Sequence, residues 1–275
     1  MIHPPRLDRL SALLEGLAPR FFVRHAGLLS EVESHAAAEM DFLRLHLITS
    51  GTVRLSLAGE REQCLSAPAV AVIRGDVACA LSMSDSEADA PVVMCVEARF
   101  AGPVSTILLE AFAQPLMLSL DTSDSEMDLV IRLIASELSQ PRCGQPALLA
   151  RAGDIMFIGL LRHLIAQPRT PFGILNGLSD MRIARALVAI HTAPQLPWTL
   201  ETLALEAGMS RTAFAVLFRD TMNRPPGAYL AQVRLSIARK AVMNGCRLKQ
   251  AAKEAGYAST TALSRALARQ SFSVG

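Results

Sequence analysis

Arg211, Thr212 and Arg219 fall on one side of the segment Ser210–Met222, whose opposite side is apolar. Guanidinium groups on an exposed face are suited to anionic or acceptor-rich partners, since an arginine serves both phosphate oxygens and the acceptor atoms of base edges. Ala215 and Val216, on the same outward side, offer apolar contact only. These side chains must be held by the stretch TLETLALEAGMSRTAFAVLFRDTM, residues 199–222, which predicts a short helix, a tight turn at Gly208 and a second helix opening at Ser210. Leu200, Leu203, Ala204 and Ala207 share one helical face before the turn, and Ala213, Phe214, Leu217 and Phe218 share one after it. Ser210 can cap the second helix by accepting from a first-turn N–H, and Gly208 suits a sharp corner.

The motif occurs twice. Glu254-Ala255-Gly256 repeats Glu206-Ala207-Gly208 after 48 residues, with Leu248, Ala251, Ala252 and Ala255 on the inner face before the turn and Leu263, Ala266 and Leu267 after it. Between the copies, Tyr229, Leu230, Val233, Ile237 and Ala241 form a helical stripe that Gly245 ends. Two helix-turn-helix units joined by such a helix resemble the DNA-binding domain of AraC/XylS-type transcription regulators over about residues 180–272. The resemblance is carried by Trp198-Thr199-Leu200-Glu201, Ala207-Gly208-Met209-Ser210-Arg211, Leu217-Phe218-Arg219, Tyr229-Leu230, Arg234, Gly256-Tyr257 and Ser264-Arg265. Ala251, Leu263 and Leu267 depart from the larger residues common at these places, and the usual F-G-x-S-P-x-x-Y ending is absent or out of register.

Charge divides the chain in the same place. Residues 181–275 hold 13 Lys and Arg against 4 Asp and Glu, a net +9, whereas residues 1–180 hold 14 against 21, a net −7. A basic half beside an acidic one is what phosphate binding by the basic half predicts. No apolar run is long enough to span a bilayer and the first residues do not resemble a signal peptide, so a cytoplasmic protein without a membrane partner is expected.

The N-terminal half changes period. Residues 5–18 read as an amphipathic helix covering a sheet or a partner, on Leu7, Leu10, Leu13, Leu14 and Leu17. From Phe21 to Phe100 the period drops to two. Leu43, Leu45 and Leu47 alternate before the Ser50-Gly51 turn and Val53, Leu55 and Leu57 after it, which predicts a hairpin. Further strands are expected at Ala69–Ile73, Val77–Ser82 and Val92–Phe100. The segment 5–105 resembles the cupin-type domain found on many AraC-like regulators, on His46-Leu47-x-x-x-Gly51, Arg74-Gly75-Asp76, Cys95 and Arg99-Phe100-x-Gly102-Pro103. Beyond Pro103 the chain reads as helical: Ser123-x-x-Glu126 is a capping box opening Met127–Leu138, and Ala147–Gln167 forms a helix apolar over most of its circumference, suited to burial between elements or subunits.

Metal and nucleophile chemistry finds less support. The segment has only His25, His35 and His46, with no H-x-H, and Ala78 stands where related domains often carry histidine. His46 therefore reads as a packed or hydrogen-bonded histidine, and neither metal, cofactor nor catalytic residue is expected. Five cysteines without a CxxC pair form neither a disulfide framework nor a zinc motif. Cys64, Cys79 and Cys95 read as small buried hydrophobes, with a redox-sensing thiol as the alternative.

The fold class expected is thus α+β in two domains. Residues 1–170 make a cupin-like β-barrel with flanking helices, 171–180 a linker, and 181–275 an all-α domain with helix-turn-helix units at 199–222 and 248–271. The resemblance implies that double-stranded DNA is read by Ser210, Arg211, Thr212, Ala215, Val216 and Arg219 in the first unit and by Thr260, Thr261, Ser264 and Arg265 in the second. Arg219, Arg234, Arg239 and Lys240 are candidates for phosphate or structural roles, and Arg234 equally for a buried ion pair. It also implies an N-terminal domain that senses a small-molecule effector or pairs two chains as a homodimer, with RNA polymerase as a partner if the protein activates. Two other readings stay open at this point: a metal-dependent cupin enzyme fused to a helical domain, and an effector-free DNA-binding protein.

Overall fold

The structure is a computed structural model that describes residues 8–59, 61–84, 90–120, 125–168 and 172–271. In chain order it runs α1 (Arg9–Leu17), β1 (Pro19–Leu28), β2 (Glu33–His35), β3 (Phe42–Ser50), β4 (Thr52–Leu57), β5 (Gln63–Ser66), β6 (Ala69–Arg74), β7 (Cys79–Met83) and β8 (Val92–Phe100). There follow α2 (Ser105–Glu110), β9 (Leu116–Ser119), α3 (Ser125–Ser139), α4 (Gln145–Ala166), α5 (Ile174–Ser179) and α6 (Met181–Thr192). The last five helices are α7 (Leu200–Glu206), α8 (Arg211–Met222), α9 (Pro226–Met243), α10 (Leu248–Glu254) and α11 (Thr260–Ser271). The chain divides into two compact units: Pro19–Ala101 with Leu109–His163, and the rest, which joins the segment ending at Ala18 and Gly102–Leu108 to everything from Leu164 onward.

The first unit is the cupin-like one. Its strands form a five-stranded sheet in the order β1-β8-β3-β6-β9 and a four-stranded sheet in the order β2-β7-β4-β5. The expected closed barrel is instead two open sheets, because among the described residues no ladder joins one sheet to the other. Ile48, Ala69, Ala71, Ile73, Val93 and Cys95 from the larger sheet pack with Val53, Leu55, Leu57, Cys79 and Leu81 from the smaller one. Strand β3 is buried along Phe42–Ile48 on both of its faces. Leu45 and Leu47 therefore share with Val96, Val72, Met94 and Val70 the face away from that inter-sheet core. Helix α4 covers this second face, with Phe157 ring centroids 5.4 Å from Phe21 and 5.7 Å from Phe100, and with Gly153 lying against Phe21 and Val96.

The strand bounds move where sequence alternation is weakest. The strand expected from Val77 begins at Cys79, since Val77 N–H is used in a turn to Arg74 O at 3.0 Å. Strand β9 lies in a stretch expected to be helical throughout; Leu116–Ser119 instead pairs antiparallel with β6 at the sheet edge. Ser123 of the expected capping box lies outside the described residues, and α3 follows from Ser125.

The second unit is all helical. Helix α1, expected to cover a sheet or a partner, packs on α6, with Arg9 Nη1 donating to Leu178 O at 2.6 Å. Gly102 closes against the same helix: its N–H donates to Leu17 O at 2.6 Å, and a methyl group on Gly102 would stand 1.9 Å from Gly16 O. Within the stretch 171–180 read as a linker, Ile174–Ser179 forms α5, whose Ile174, Leu175 and Leu178 are buried against α6 and α8. The buried side of α8 is Phe214, Phe218 and Met222, one residue every turn, whereas Ala213 is exposed and Leu217 half-buried.

Phe218 is fully buried, with ring centroids 5.5 Å from Phe214 and 5.8 Å from Tyr229 of α9, while Val216 on the opposite side is 52% exposed. Phe218→Ala is expected to destabilise this unit by about 3–5 kcal/mol and Val216→Ala by under about 0.5 kcal/mol. Urea unfolding of the two variants, followed by helical circular dichroism, measures the contrast.

Candidate nucleic-acid interface

Each helix-turn-helix is built by the same local devices. Helix α7 starts in a capping box, Thr199 Oγ1 accepting from Thr202 N–H while Thr199 N–H donates to Thr202 Oγ1. It ends at Gly208, whose φ of 66° is left-handed and whose following residue, Met209, donates its N–H to Ala204 O at 2.9 Å. In the second unit Gly256 has φ 75° and Tyr257 N–H returns to Ala252 O at 2.8 Å, the same closure. Ser210 Oγ then accepts from Ala213 N–H at 3.4 Å, and Ser259 Oγ from Ala262 N–H at 3.1 Å.

These caps set the alignment of the two copies. The second turn carries one more residue, Ala258, so the serine caps are 49 residues apart although the Glu-Ala-Gly triplets are 48 apart. Counted from the caps, Arg211 matches Thr260, Thr212 matches Thr261, Ala215 matches Ser264 and Val216 matches Arg265. Arg211, Thr212, Val216 and Arg219 are exposed and Ala215 is half-buried; Thr261, Ser264 and Arg265 are exposed and Thr260 half-buried. All ten candidate residues thus stand at the N-cap of α8 or on α8 and α11, with Ser210 engaged as a cap and Arg219 matched in the second copy by Ala268.

The cores behind the two faces differ. Phe214, Phe218 and Met222 fill the first, whereas the second is made by Ala251, Ala252, Ala255 and Leu263 against Leu235, Ala238 and Ala241 of α9. Small residues let α10 and α11 sit close to the connector, and this is how Ala251 and Leu263 are accommodated at full burial.

A loop between α6 and α7 ties the two units together, and the sequence motifs alone did not expose its role. Arg234 on α9 donates through Nε to Pro194 O at 2.8 Å and through Nη2 to Leu196 O at 2.6 Å. Its role is therefore structural, through backbone carbonyls and not the ion pair held open above. Trp198 Nε1 donates to Ala193 O at 2.8 Å in the same loop. Gly256 lies against this loop from the second unit, where a methyl group would stand 2.7 Å from Gln195 Cα. Next to it, His191 Nε2 and Tyr229 Oη are 2.7 Å apart with their rings stacked, and burial lowers the His191 pKa to about 4. The available signal was compositional: Trp198 is the sole tryptophan and Tyr229 and Tyr257 the only tyrosines, and all three sit at this junction. Of the other cations, Arg239 is exposed and Lys240 half-buried on α9.

With this geometry established, comparison with known proteins gives a consistent result. A family described as Cupin matches residues 8–166 and a Helix-turn-helix domain matches residues 203–271. The chain belongs to the cupin-bearing, AraC-type transcription regulators. It is 37% identical over 138 residues to the HTH-type transcriptional regulator AlkR of Acinetobacter baylyi, a match that covers 50% of this chain and 45% of that protein. The chain thus spans under half the length of that relative. It is 28% identical to the RCS-specific HTH-type transcriptional activator RclR of Escherichia coli, over 96% of this chain and 94% of the relative. Among solved structures, fatty-acid-bound ToxT of Vibrio cholerae aligns over 91% of this chain and 90% of its own, at 12% identity and a TM-score of 0.37.

Two outcomes are expected from the junction. Arg234→Met, which leaves two carbonyls without their donor, should cost about 1–3 kcal/mol. Equilibrium unfolding measures it. For His191, the folded state refuses a proton until about pH 4 whereas an unfolded imidazole takes one near 6.5, so its contribution is full above about pH 6.5 and is lost as pH falls toward 4. Urea midpoints at about pH 7 and 5 should fall less for His191→Gln than for the parent chain.

Proposed function

We propose that this protein is a sequence-specific regulator of transcription that binds double-stranded DNA through α8 and α11, each laid in the major groove. The observation that carries this reading is the shared register of the two outward faces, Arg211, Thr212, Ala215 and Val216 against Thr260, Thr261, Ser264 and Arg265, each counted from a serine cap. A single chain then reads two successive segments about one helical turn apart. The net +9 of residues 181–275 supplies attraction to phosphates, to which Arg219 and the exposed Arg239 contribute.

The two readers have unequal chemistry. Ala215 and Val216 can contribute only apolar contact, as with a thymine methyl, so discrimination by α8 rests on Arg211, Thr212 and groove shape. Arg265 on α11 has the fork geometry for guanine O6 and N7, flanked by Thr261 and Ser264. Ser210 is committed to its cap and serves mainly to aim the first turn of α8.

To the N-terminal unit we assign effector sensing or the pairing of two chains, coupled to the DNA-binding helices. Pairing is favoured by apolar residues on its helices: Leu129 and Leu133 of α3 and Ile155 of α4 are exposed. RNA polymerase is the further partner if the protein activates. No catalytic role is proposed for it.

Arg265→Ala should cost about 1–3 kcal/mol and relax preference at one guanine, whereas Arg219→Ala should weaken all sequences alike and reduce the salt slope by about one phosphate. Operators selected from random DNA, then varied one base at a time across a salt series, provide the measurement. A uniform loss for Arg265→Ala would refute the assignment of the second reader.

A further inference from the structure

Strands from both sheets of the cupin-like unit bring soft and borderline metal donors to one buried point. His46 of β3 is fully buried, with Nδ1 3.0 Å from Cys95 Sγ on β8 and Nε2 3.7 Å from Cys79 Sγ on β7. His35 of β2, in the other sheet, places its ring centroid 5.3 Å from that of His46. One donor atom from each of His35, His46 and Cys95 can be chosen so that all lie within 4.8 Å of one another. His35 Nε2 is buried and has no hydrogen-bond partner.

We propose that His35, His46 and Cys95 form a site for one Zn2+ ion that spans the two sheets of this unit. Imidazole nitrogen with thiolate sulfur is a donor set for zinc and not for calcium or magnesium. Metal–ligand distances of about 2.0–2.1 Å to nitrogen and 2.3 Å to sulfur put tetrahedral neighbours about 3.5 Å apart, so donors within 4.8 Å of one another need close in by at most about 1.3 Å. Cys79, beside the opposite nitrogen of His46, favours the tautomer that leaves Nδ1 free to face Cys95 and the ion. The fourth position is left to water. On binding, the Cys95 thiol releases its proton to solvent as the S–Zn bond forms, and no electron is transferred.

The surrounding charges are balanced. Arg44 is buried nearby, but its guanidinium is held on Val77 O at 2.9 Å and Ala36 O at 2.8 Å. Glu33 supplies the opposing charge, its carboxylate 3.8 Å from His35 Nε2 and 3.9 Å from His25 Nδ1. The expectation of a metal-free domain rested on the missing H-x-H spacing, and that test does not detect a site assembled from three strands. Occupancy would clamp β2 to β3 and β8, linking the two open sheets.

The test uses the full-length chain, dialysed against chelator and titrated with Zn2+ against a chromogenic indicator, with Co2+ as the spectroscopic probe. About one Zn2+ per chain is expected, together with a thiolate-to-cobalt charge-transfer band. Cys95→Ser should abolish the band, and His35→Ala should weaken Zn2+ at least as much as the ~10–100-fold loss that outer-shell changes cause. The band should persist when Cys64, Cys143 and Cys246 are all replaced by serine. If Cys95→Ser does not fold, the triple-serine variant and His35→Ala decide the matter. A folded parent chain without a thiolate band, or a band that Cys95→Ser keeps, overturns the proposal. DNA binding is read separately, so failure here leaves the regulator reading untouched.

Discussion

The Arg234 guanidinium, seated on the carbonyls of Pro194 and Leu196, is the contact on which the arrangement of the helical unit depends. A connecting helix can join two helix-turn-helix units, but its apolar stripe does not choose their rotation about it. Here the charged end of Arg234 supplies directional bonds to a loop that has no regular structure of its own to satisfy its carbonyls. Trp198 fills the same loop from the first unit, and the missing side chain of Gly256 lets the second approach Gln195. Larger residues at position 256 would meet backbone, which cannot yield as a flexible side chain can.

The two units reach comparable burial by different means. Phe214 meets Phe218 edge-on and Phe218 meets Tyr229 edge-on, giving the first a core of large side chains. Ala251, Ala252 and Ala255 give the second close helix approach with little apolar area per residue. Its stability must therefore depend more on the connector and on the loop at Gly256 than on its own interior. In this division one helix-turn-helix is held by its own large side chains and the other chiefly by its neighbours.

In the cupin-like unit the governing fact is that β3 is buried on both faces. A half-buried strand alternates apolar and polar residues between core and water, but β3 directs Leu45 and Leu47 towards the face that α4 covers and Arg44 and His46 into the space beside the other sheet. Polar groups in such a place need partners, and most are met: Arg44 Nη1 and Nη2 donate to two carbonyls, with Nε left unpartnered, and His46 lies between two thiols. Burial, with His35 and Arg44 nearby, lowers the His46 pKa to about 3 and keeps its ring neutral.

The helical unit was legible in the sequence because its signals are local. Gly208 and Gly256 mark corners, Ser210 caps a helix within three residues, and the stripe through Tyr229 and Val233 declares the connector, all at separations shorter than about two helical turns. The repeat added the architecture, and the charge division gave the helical half its net +9. Periodicity likewise placed β3, β4 and β6, but it missed β9, whose place is defined by pairing with β6 more than 40 residues earlier. Only the tertiary structure decided the rest. The seat of Arg234 and the meeting of His35, His46 and Cys95 join residues 11 to 60 positions apart, and the open sheets in place of a barrel join residues as far apart as Pro19 and Phe100. Spacing along a chain reports which residues share a face of one element; which faces then meet is set by packing, and a pattern of types does not encode it.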